Sequence, residues 1–282
     1  MARVTPDQIR QMKLRGERIP MLTAYDYPTA HILDEAGVPI LLVGDTLGMV
    51  VLGNSTTLPV TVDDIIRHTQ AVVRGTKQAL VVADLPFGSF QVSPEDTMRQ
   101  VIRIMKEAGP QAVKLEGGRR SAASVRALVE AGIPVMGHVG LTPQSVNVFG
   151  GFKVQGKTER AARELLADVA ALEEAGVFAV VLELVPSELA RIVTERTSVP
   201  TIGIGAGPYC DGEVQVIHDI LGLFPDFTPK HTKRYAELGA AVRSAVETYI
   251  SEVRERTFPT AQQSSALDPA VIEALQKHAE GE

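Results

Sequence analysis

Several apolar segments of this sequence end in, or carry near their end, an ionisable side chain. Segment 40–44 runs into Asp45 and Thr46, segment 79–84 ends in Asp84, and segment 112–116 holds Lys114 and Glu116. Segment 134–139 carries His138, and segment 178–184 carries Glu183. A charge near the end of a buried strand is costly unless it is paired, metal-bound or solvated. If these ends converge on one rim, they form a site. Lys114 and Glu116 are two residues apart, so on a strand both point to the same face. Asp45, Asp84 and Glu116 come from three separate segments and together could bind a hard cation. Carboxylates with water suit magnesium. The competing reading is that each acid caps the helix that follows it. Glu183 lies among Val180, Val181, Leu182, Leu184 and Val185. A carboxyl desolvated in that way has a raised pKa and is a good proton acceptor near neutral pH. The alternative is a buried salt bridge. His138 taken alone reads equally as a satisfied core histidine.

The elements that must position these groups follow from periodicity. Eight short apolar segments are strand candidates: 20–25, 40–44, 79–84, 112–116, 134–139, 178–184, 201–205 and, less clearly marked, 216–222. Near-continuous apolar runs suit strands covered on both faces, as in parallel sheets. Helical spacing occupies the gaps. Val62, Ile65, Ile66, Val72 and Val73 share one face of 61–77, and Met98, Val101, Ile102 and Met105 share one stripe after Ser93-Pro94-Glu95, a capped helix start. Further helices are predicted over 158–175 and 233–256. Glycines 37, 109, 132 and 176 each follow an Ala at a helix end and precede a strand, a repeated helix–glycine–strand unit.

Strands alternating with helices mean an α/β protein with a parallel sheet. Eight units over this length fit a closed (β/α)8 TIM barrel. An open doubly wound sheet is the alternative, and the first strand lacks its Gly-x-Gly-x-x-Gly signature. The reading is one barrel domain over 1–257 with an N-terminal helix, then a tail over 258–282. The tail opens as a Pro/Gln/Ser-rich linker and ends in a short helix over 268–279, to be packed on a neighbour or left mobile. Segments 48–59 and 140–157 are loops suited to covering a barrel mouth or packing on a neighbouring subunit. Gly203, Gly205 and Gly207 could approach a phosphate, or only permit a tight turn.

Composition removes other classes. The chain has 282 residues, of which 45% are hydrophobic and 22% charged, as in ordinary globular proteins. A net charge of −6 without a basic run argues against nucleic acid, and the absence of Trp argues against a base-stacking platform. No run of 18 apolar residues is present to span a membrane, and the first residues carry no apolar signal region, so the expected location is cytoplasmic. Cys210, the single cysteine, excludes an internal disulfide and reads as a structural thiol.

Five motifs then carry a resemblance. They are Gly44 to Met49, Ala83 to Phe87, Val113 to Gly118, Gly137 to Ser145 and Gly203 to Gly207. In order and spacing, from Ile19 to Val253, they resemble ketopantoate hydroxymethyltransferases, barrels of the phosphoenolpyruvate/pyruvate-binding superfamily. The resemblance implies transfer of a hydroxymethyl group from 5,10-methylenetetrahydrofolate to 3-methyl-2-oxobutanoate in pantothenate biosynthesis. It implies one Mg2+ per subunit held by Asp45, Asp84 and Glu116, directly or through water. It implies oxo-acid binding by Asp45, Thr46, Asp84 and Lys114, with Glu183 as proton acceptor and His138 hydrogen bonding to substrate or product. It implies a homo-oligomer, a decamer of two stacked pentamers. Thr46 departs from the usual Ser of the family, keeping the hydroxyl and adding a methyl group. Another metal-dependent oxo-acid lyase or mutase of the superfamily is the rival reading. Those enzymes rely on a cysteine-bearing gating loop, which Cys210 does not occupy.

Overall fold

Eight parallel strands close into one barrel in chain order, in a computed structural model that describes residues 2–224 and 228–279. They are β1 (Ile19–Thr23), β2 (Ile40–Val43), β3 (Leu80–Asp84), β4 (Ala112–Glu116), β5 (Val135–Gly140), β6 (Ala179–Glu183), β7 (Thr201–Ile204) and β8 (Gly212–Gln215), and β8 pairs back onto β1. Helix α1 (Pro6–Leu14) precedes the barrel. Around and between the strands run α2 (Tyr27–Glu35), α3 (Leu47–Val50), α4 (Val62–Gly75), α5 (Pro94–Ala108), α6 (Ala122–Glu130), α7 (Val146–Phe149), α8 (Glu159–Ala175) and α9 (Ser187–Arg196). After β8 come α10 (Ile217–Ile220), α11 (Leu238–Glu255) and α12 (Pro269–Ala279).

The continuous apolar strands divide by parity into two cores. Ile40, Leu42, Leu80, Val82, Ala112, Met136, Ala179 and Val181 fill the barrel interior with Ile19, Met21 and Ile202. Leu41, Val43, Val81, Ala83, Val113, Leu115, Val180 and Leu182 pack outward under the helices. Side chains alternate along a strand, so Asp84, Lys114, Glu116, His138 and Glu183 share the inward parity. They occupy inward positions toward the carboxyl ends of their strands. The opposite end is plugged by α1, whose Ile9 is fully buried in the interior core. Lys13 anchors that plug by donating to Asp211 Oδ2 at 2.9 Å and to the Thr194 and Val199 carbonyls at 3.1 Å. One end of the barrel is thereby sealed and only the carboxyl end can admit a ligand.

Local signals behave as read. Thr61, Ser93 and Thr158 accept from the third residue of α4, α5 and α8, and Gly109 and Gly176 end α5 and α8 in the left-handed region. Two boundaries are corrected. The eighth strand is Gly212–Gln215, and 216–222 instead holds the short helix α10. β8 has no apolar run because only Gly212 and Val214 are buried, and Glu213 is exposed. Gly212 is required there, since a Cβ would stand 2.2 Å from the Ile19 carbonyl oxygen. The helix expected over 233–256 begins only at Leu238, because the backbone N–H of Tyr235 and Leu238 is captured by the carbonyls of Ile220 and Leu221. No residue of α11 or α12 is buried against the described chain, and α11 exposes a stripe of Leu238, Val242, Val246, Tyr249 and Val253.

Asp34 at the end of α2 ties that helix to the start of β3. Its carboxylate accepts from the backbone N–H of Lys77, Gln78 and Ala79 at 2.7–2.9 Å. Burial alone would raise its pKa, but these three N–H groups outweigh it and hold the carboxyl below 3.8. Asp34→Asn turns an amide toward donors and is expected to cost about 1–3 kcal/mol of unfolding free energy. Because the folded pKa is depressed, the carboxylate's contribution is present above the ordinary Asp range and lost as pH falls through the folded value. Urea melts of the two proteins should therefore differ at pH 7 and converge in acid. A constant gap across pH would show that charge has no part in it.

Candidate active site

The inward carboxyl-end side chains meet in a cavity of about 370 Å3 at the open mouth. Asp45, Thr46, Asp84, Lys114, Glu116, His138 and Glu183 all line it, so every site residue expected from the sequence is brought to one place. Strand register accounts for the convergence. Asp84 pairs with Lys114, Glu116 with His138 and Gly140 with Glu183, placing each group beside the next around the rim.

Lys114 Nζ donates to both oxygens of Asp84 at 2.7 Å and lies 3.5 Å from His138 Nδ1. The backbone N–H of Asp45 donates to Asp84 Oδ2 at 3.3 Å. His138 Nδ1 lies 3.7 Å from Glu116 Oε1, and its Nε2 lies 3.2 Å from Glu183 Oε2. That last pair is close but not in hydrogen-bonding geometry, leaving Nε2 a buried polar atom without a hydrogen-bond partner. Gln144, which the sequence reading assigned no role, fixes the acids from above. Its Nε2 donates to Asp45 Oδ2 at 3.0 Å and to the Leu85 carbonyl at 2.8 Å, and its backbone N–H donates to Glu116 Oε2 at 3.2 Å.

Burial sets the protonation of the group. It pushes Glu183 up to about 7, against the opposing charges of Lys114 and His231. Burial and then repulsion from Asp84 push Asp45 up to about 7, against the pull of Lys114. Glu116 is raised well above the ordinary carboxylate range by burial and then by Asp45. Burial alone would lower the Lys114 pKa, but Asp84, Asp45 and Glu116 outweigh it and hold the ammonium charged. Burial and the Lys114 charge hold His138 far below its ordinary value, so its ring is neutral. A neutral imidazole thus stands next to a carboxyl poised to titrate near neutrality.

One lysine cation against Asp45, Asp84 and Glu116 leaves more carboxyl groups than it can neutralise, so their ionisation is resisted and a further cation would favour it. Among the described residues, no three His, Cys, Asp or Glu side chains cluster tightly enough to enclose an ion by themselves. The donor set on offer is therefore one or two carboxylates completed by water. That suits magnesium, which retains much of its hydration.

The opposite wall is apolar, formed by Leu42, Met49, Val50, Phe152, Val181, Leu184, Ile204 and Val214. Phe152 comes from the 140–157 segment, which holds α7, and His231 from the segment returning across the mouth. Neither was legible as a site residue, because loop closure rather than periodicity brings them there. The glycines of 203–207 are explained by packing. A Cβ at Gly205 would meet Leu184 Cδ2 at 2.6 Å, and one at Gly207 would meet Ser187 Cβ at 2.4 Å. Cys210 is buried outside the cavity lining, with burial pushing its thiol up to about 11. That describes an inert structural thiol.

Comparison with known proteins bears on this geometry. The family model for ketopantoate hydroxymethyltransferase matches residues 3–261. A 3-methyl-2-oxobutanoate hydroxymethyltransferase of Chloroflexus aurantiacus is 58% identical over 272 residues, covering 96% of each chain. One from Dehalococcoides mccartyi is 56% identical over 275 residues, covering 98% of each. Among solved structures, phosphonopyruvate hydrolase aligns with a TM-score of 0.60 at 14% identity, covering 98% of this chain and 96% of that one. A 2,3-dimethylmalate lyase aligns at 0.58 with 16% identity, covering 98% and 99%. At such identities the solved structures share the barrel and nothing finer.

Proposed function

The chain belongs to the ketopantoate hydroxymethyltransferase family, and from that membership we propose how its barrel mouth works. The enzyme transfers a hydroxymethyl group to 3-methyl-2-oxobutanoate, giving 2-dehydropantoate, with 5,10-methylenetetrahydrofolate as donor and water as co-reactant. The observation that carries the mechanism is the pairing of a carboxyl with a pKa of about 7, Glu183, with more buried carboxyl groups than the one lysine of the same cavity can neutralise.

Asp45 and Asp84 are the residues that would hold magnesium, with Glu116 acting directly or through water. Magnesium bound there supplies positive charge that withdraws electron density from the oxo acid. Lys114 neutralises the substrate carboxylate, and the hydroxyl and N–H of Thr46 with Asp45 orient it. The apolar wall of Val181, Leu184 and Ile204 accepts the isopropyl group. Water releases the methylene of the folate at the formaldehyde level, leaving tetrahydrofolate. Glu183 takes the proton from carbon three, the carbanion formed adds to that one-carbon unit, and the proton returns to the new alkoxide as the hydroxyl. Neutral His138 presents Nε2 to the new hydroxyl or to the carboxyl of Glu183. Holding both reactants together at the barrel mouth is where the rate gain from proximity arises. The low-identity lyase and hydrolase relatives give no residue-level support to a lyase reading.

We place the enzyme in the cytoplasm. No helix among the described residues is long and apolar enough to cross a membrane. We further propose a homo-oligomer, two stacked pentamers; the exposed apolar stripe of α11 supports an interface between subunits, and the subunit number rests on family membership alone.

The test is proton exchange. In deuterated water with magnesium, the protein is expected to exchange the carbon-three proton of 3-methyl-2-oxobutanoate, followed by NMR. Removing the metal should slow exchange at least tenfold. Silence with and without tetrahydrofolate, together with turnover of a dicarboxylic oxo acid, would overturn the proposed reaction.

A further inference from the structure

Outside glycine, the described backbone enters the left-handed region at two residues, Leu184 with φ +45° and Arg256 with φ +58°. Arg256 is the C-cap of α11, where such a turn is ordinary. Leu184 has no such excuse. It immediately follows Glu183, and a bulky residue with positive φ is a conformational outlier that surrounding structure must impose.

The surroundings that impose it are explicit. The N–H of Leu184 donates to the Ile204 carbonyl at 2.9 Å, and its own carbonyl accepts from Gln155 N–H at 2.8 Å. One residue earlier, the Glu183 carbonyl accepts from Leu141 N–H at 2.8 Å. The kink has a geometric result. Successive side chains of a strand face opposite sides. Here Val181, Glu183 and Leu184 all line the cavity, and Val185 returns to the outer core. Without the kink, Leu184 would point under the helices. Two glycines make room for it. A Cβ at Gly140 would lie 2.3 Å from the Glu183 carbonyl oxygen, and one at Gly205 would lie 2.6 Å from Leu184 Cδ2.

We propose that Leu184 is a positioning residue for the reaction: its left-handed backbone fixes the aim of the Glu183 carboxylate, and its side chain walls that carboxylate from water. The hydrogen bond to Gln155 also ties the far end of the covering segment 140–157 to the base. The inference rests on Glu183 being the proton acceptor.

The test compares substitutions that separate backbone from packing. Asn tolerates positive φ but loses the apolar wall, whereas Val keeps apolar character but, being β-branched, resists that backbone. Leu184→Asn is expected to keep kcat within about fivefold of the parent. It should raise KM several-fold and shift the pH midpoint of proton exchange downward as water reaches the carboxylate. Leu184→Val is expected to lose about 10²-fold in kcat with KM little changed, the signature of a misplaced reacting group. A role in packing alone gives the reverse order, with Val the better replacement. If Leu184→Val does not fold, Leu184→Gly and Leu184→Ala form a second pair lacking the wall alike. Gly should then exceed Ala in kcat by about tenfold. Val at or above Asn, or Ala at or above Gly, overturns the inference. Parent protein that fails to exchange the oxo-acid proton would instead refute the reaction itself, so the two failures are distinguishable.

Discussion

Glu183→Gln is expected to lower metal-dependent proton exchange by about 10³-fold while leaving oxo-acid affinity within about threefold, since a positioned general base contributes roughly 10²–10⁴. The amide keeps the size of the side chain and removes only the ability to take a proton. Asp45, Asp84 and Lys114 are untouched, so binding should survive. In the parent protein the acting form is the carboxylate. Its pKa of about 7 means that exchange climbs as pH rises toward 7 and levels above it. Glu183→Gln should lose that profile as well as the rate. Stability moves the other way. The folded pKa is raised from 4.5, so burial of the neutral acid is tolerated at low pH and burial of the charged form is penalised as pH rises toward and past 7. The substitution should therefore stabilise the protein at pH 8, by up to roughly 3 kcal/mol, and much less at pH 5. Titration of exchange rate and denaturant melts at both pH values checks each part. A Glu183→Gln protein that still exchanges with a midpoint near 7 would move the base elsewhere, Asp45 being the other cavity carboxyl held at about 7.

The reason these groups could be read from sequence is strand parity. Lys114 and Glu116, two apart in an otherwise apolar run, had to face one side, and the interior cluster shows that side to be the barrel lumen. Asp84 and Glu183 end strands whose inward positions are otherwise Leu80, Val82, Ala179 and Val181. The repeated helix–glycine–strand unit gave the barrel for the same reason, since it reports on local backbone alone. What failed depends on closure. β8 buries only Gly212 and Val214, so its pattern, Gly212-Glu213-Val214-Gln215, carries no apolar run to mark a strand. Gln144, Phe152 and His231 reach the cavity from loops whose path no periodicity specifies. The conformation of Leu184 is opposed by its residue type, so propensity would point away from it. Its neighbours Gly140 and Gly205 were visible as glycines, but not the atoms that leave them no Cβ.

Lys114→Met carries the largest expected loss of stability, and the argument is electrostatic rather than steric. Among the described residues lining the cavity, Lys114 is the only Lys or Arg, and it faces Asp45, Asp84, Glu116 and Glu183. Both it and Asp84 are almost fully buried, with side-chain exposures of 5% and 2%. Met matches the length and apolar stem of Lys, so packing is nearly conserved. What is lost is the cation bonded to both Asp84 oxygens at 2.7 Å. Breaking a buried ion pair by removing one partner typically costs about 3–5 kcal/mol, because the other charge stays buried. The abandoned carboxylates can escape by taking up protons, which is cheap in acid and expensive in base. The deficit should thus be small near pH 5 and grow toward pH 8, opposite in sense to the gain from Glu183→Gln. Oxo-acid binding loses its counter-charge at the same time and should weaken by about 10²-fold. Titration calorimetry with 3-methyl-2-oxobutanoate and thermal melts across pH separate the two effects. A Lys114→Met protein as stable as the parent at pH 8 would mean that the acids are already neutral there. Unchanged oxo-acid affinity would mean that the substrate carboxylate is held by another group. The two results are independent, since stability measured without substrate reads the pairing of Lys114 with Asp84 and affinity reads its pairing with substrate.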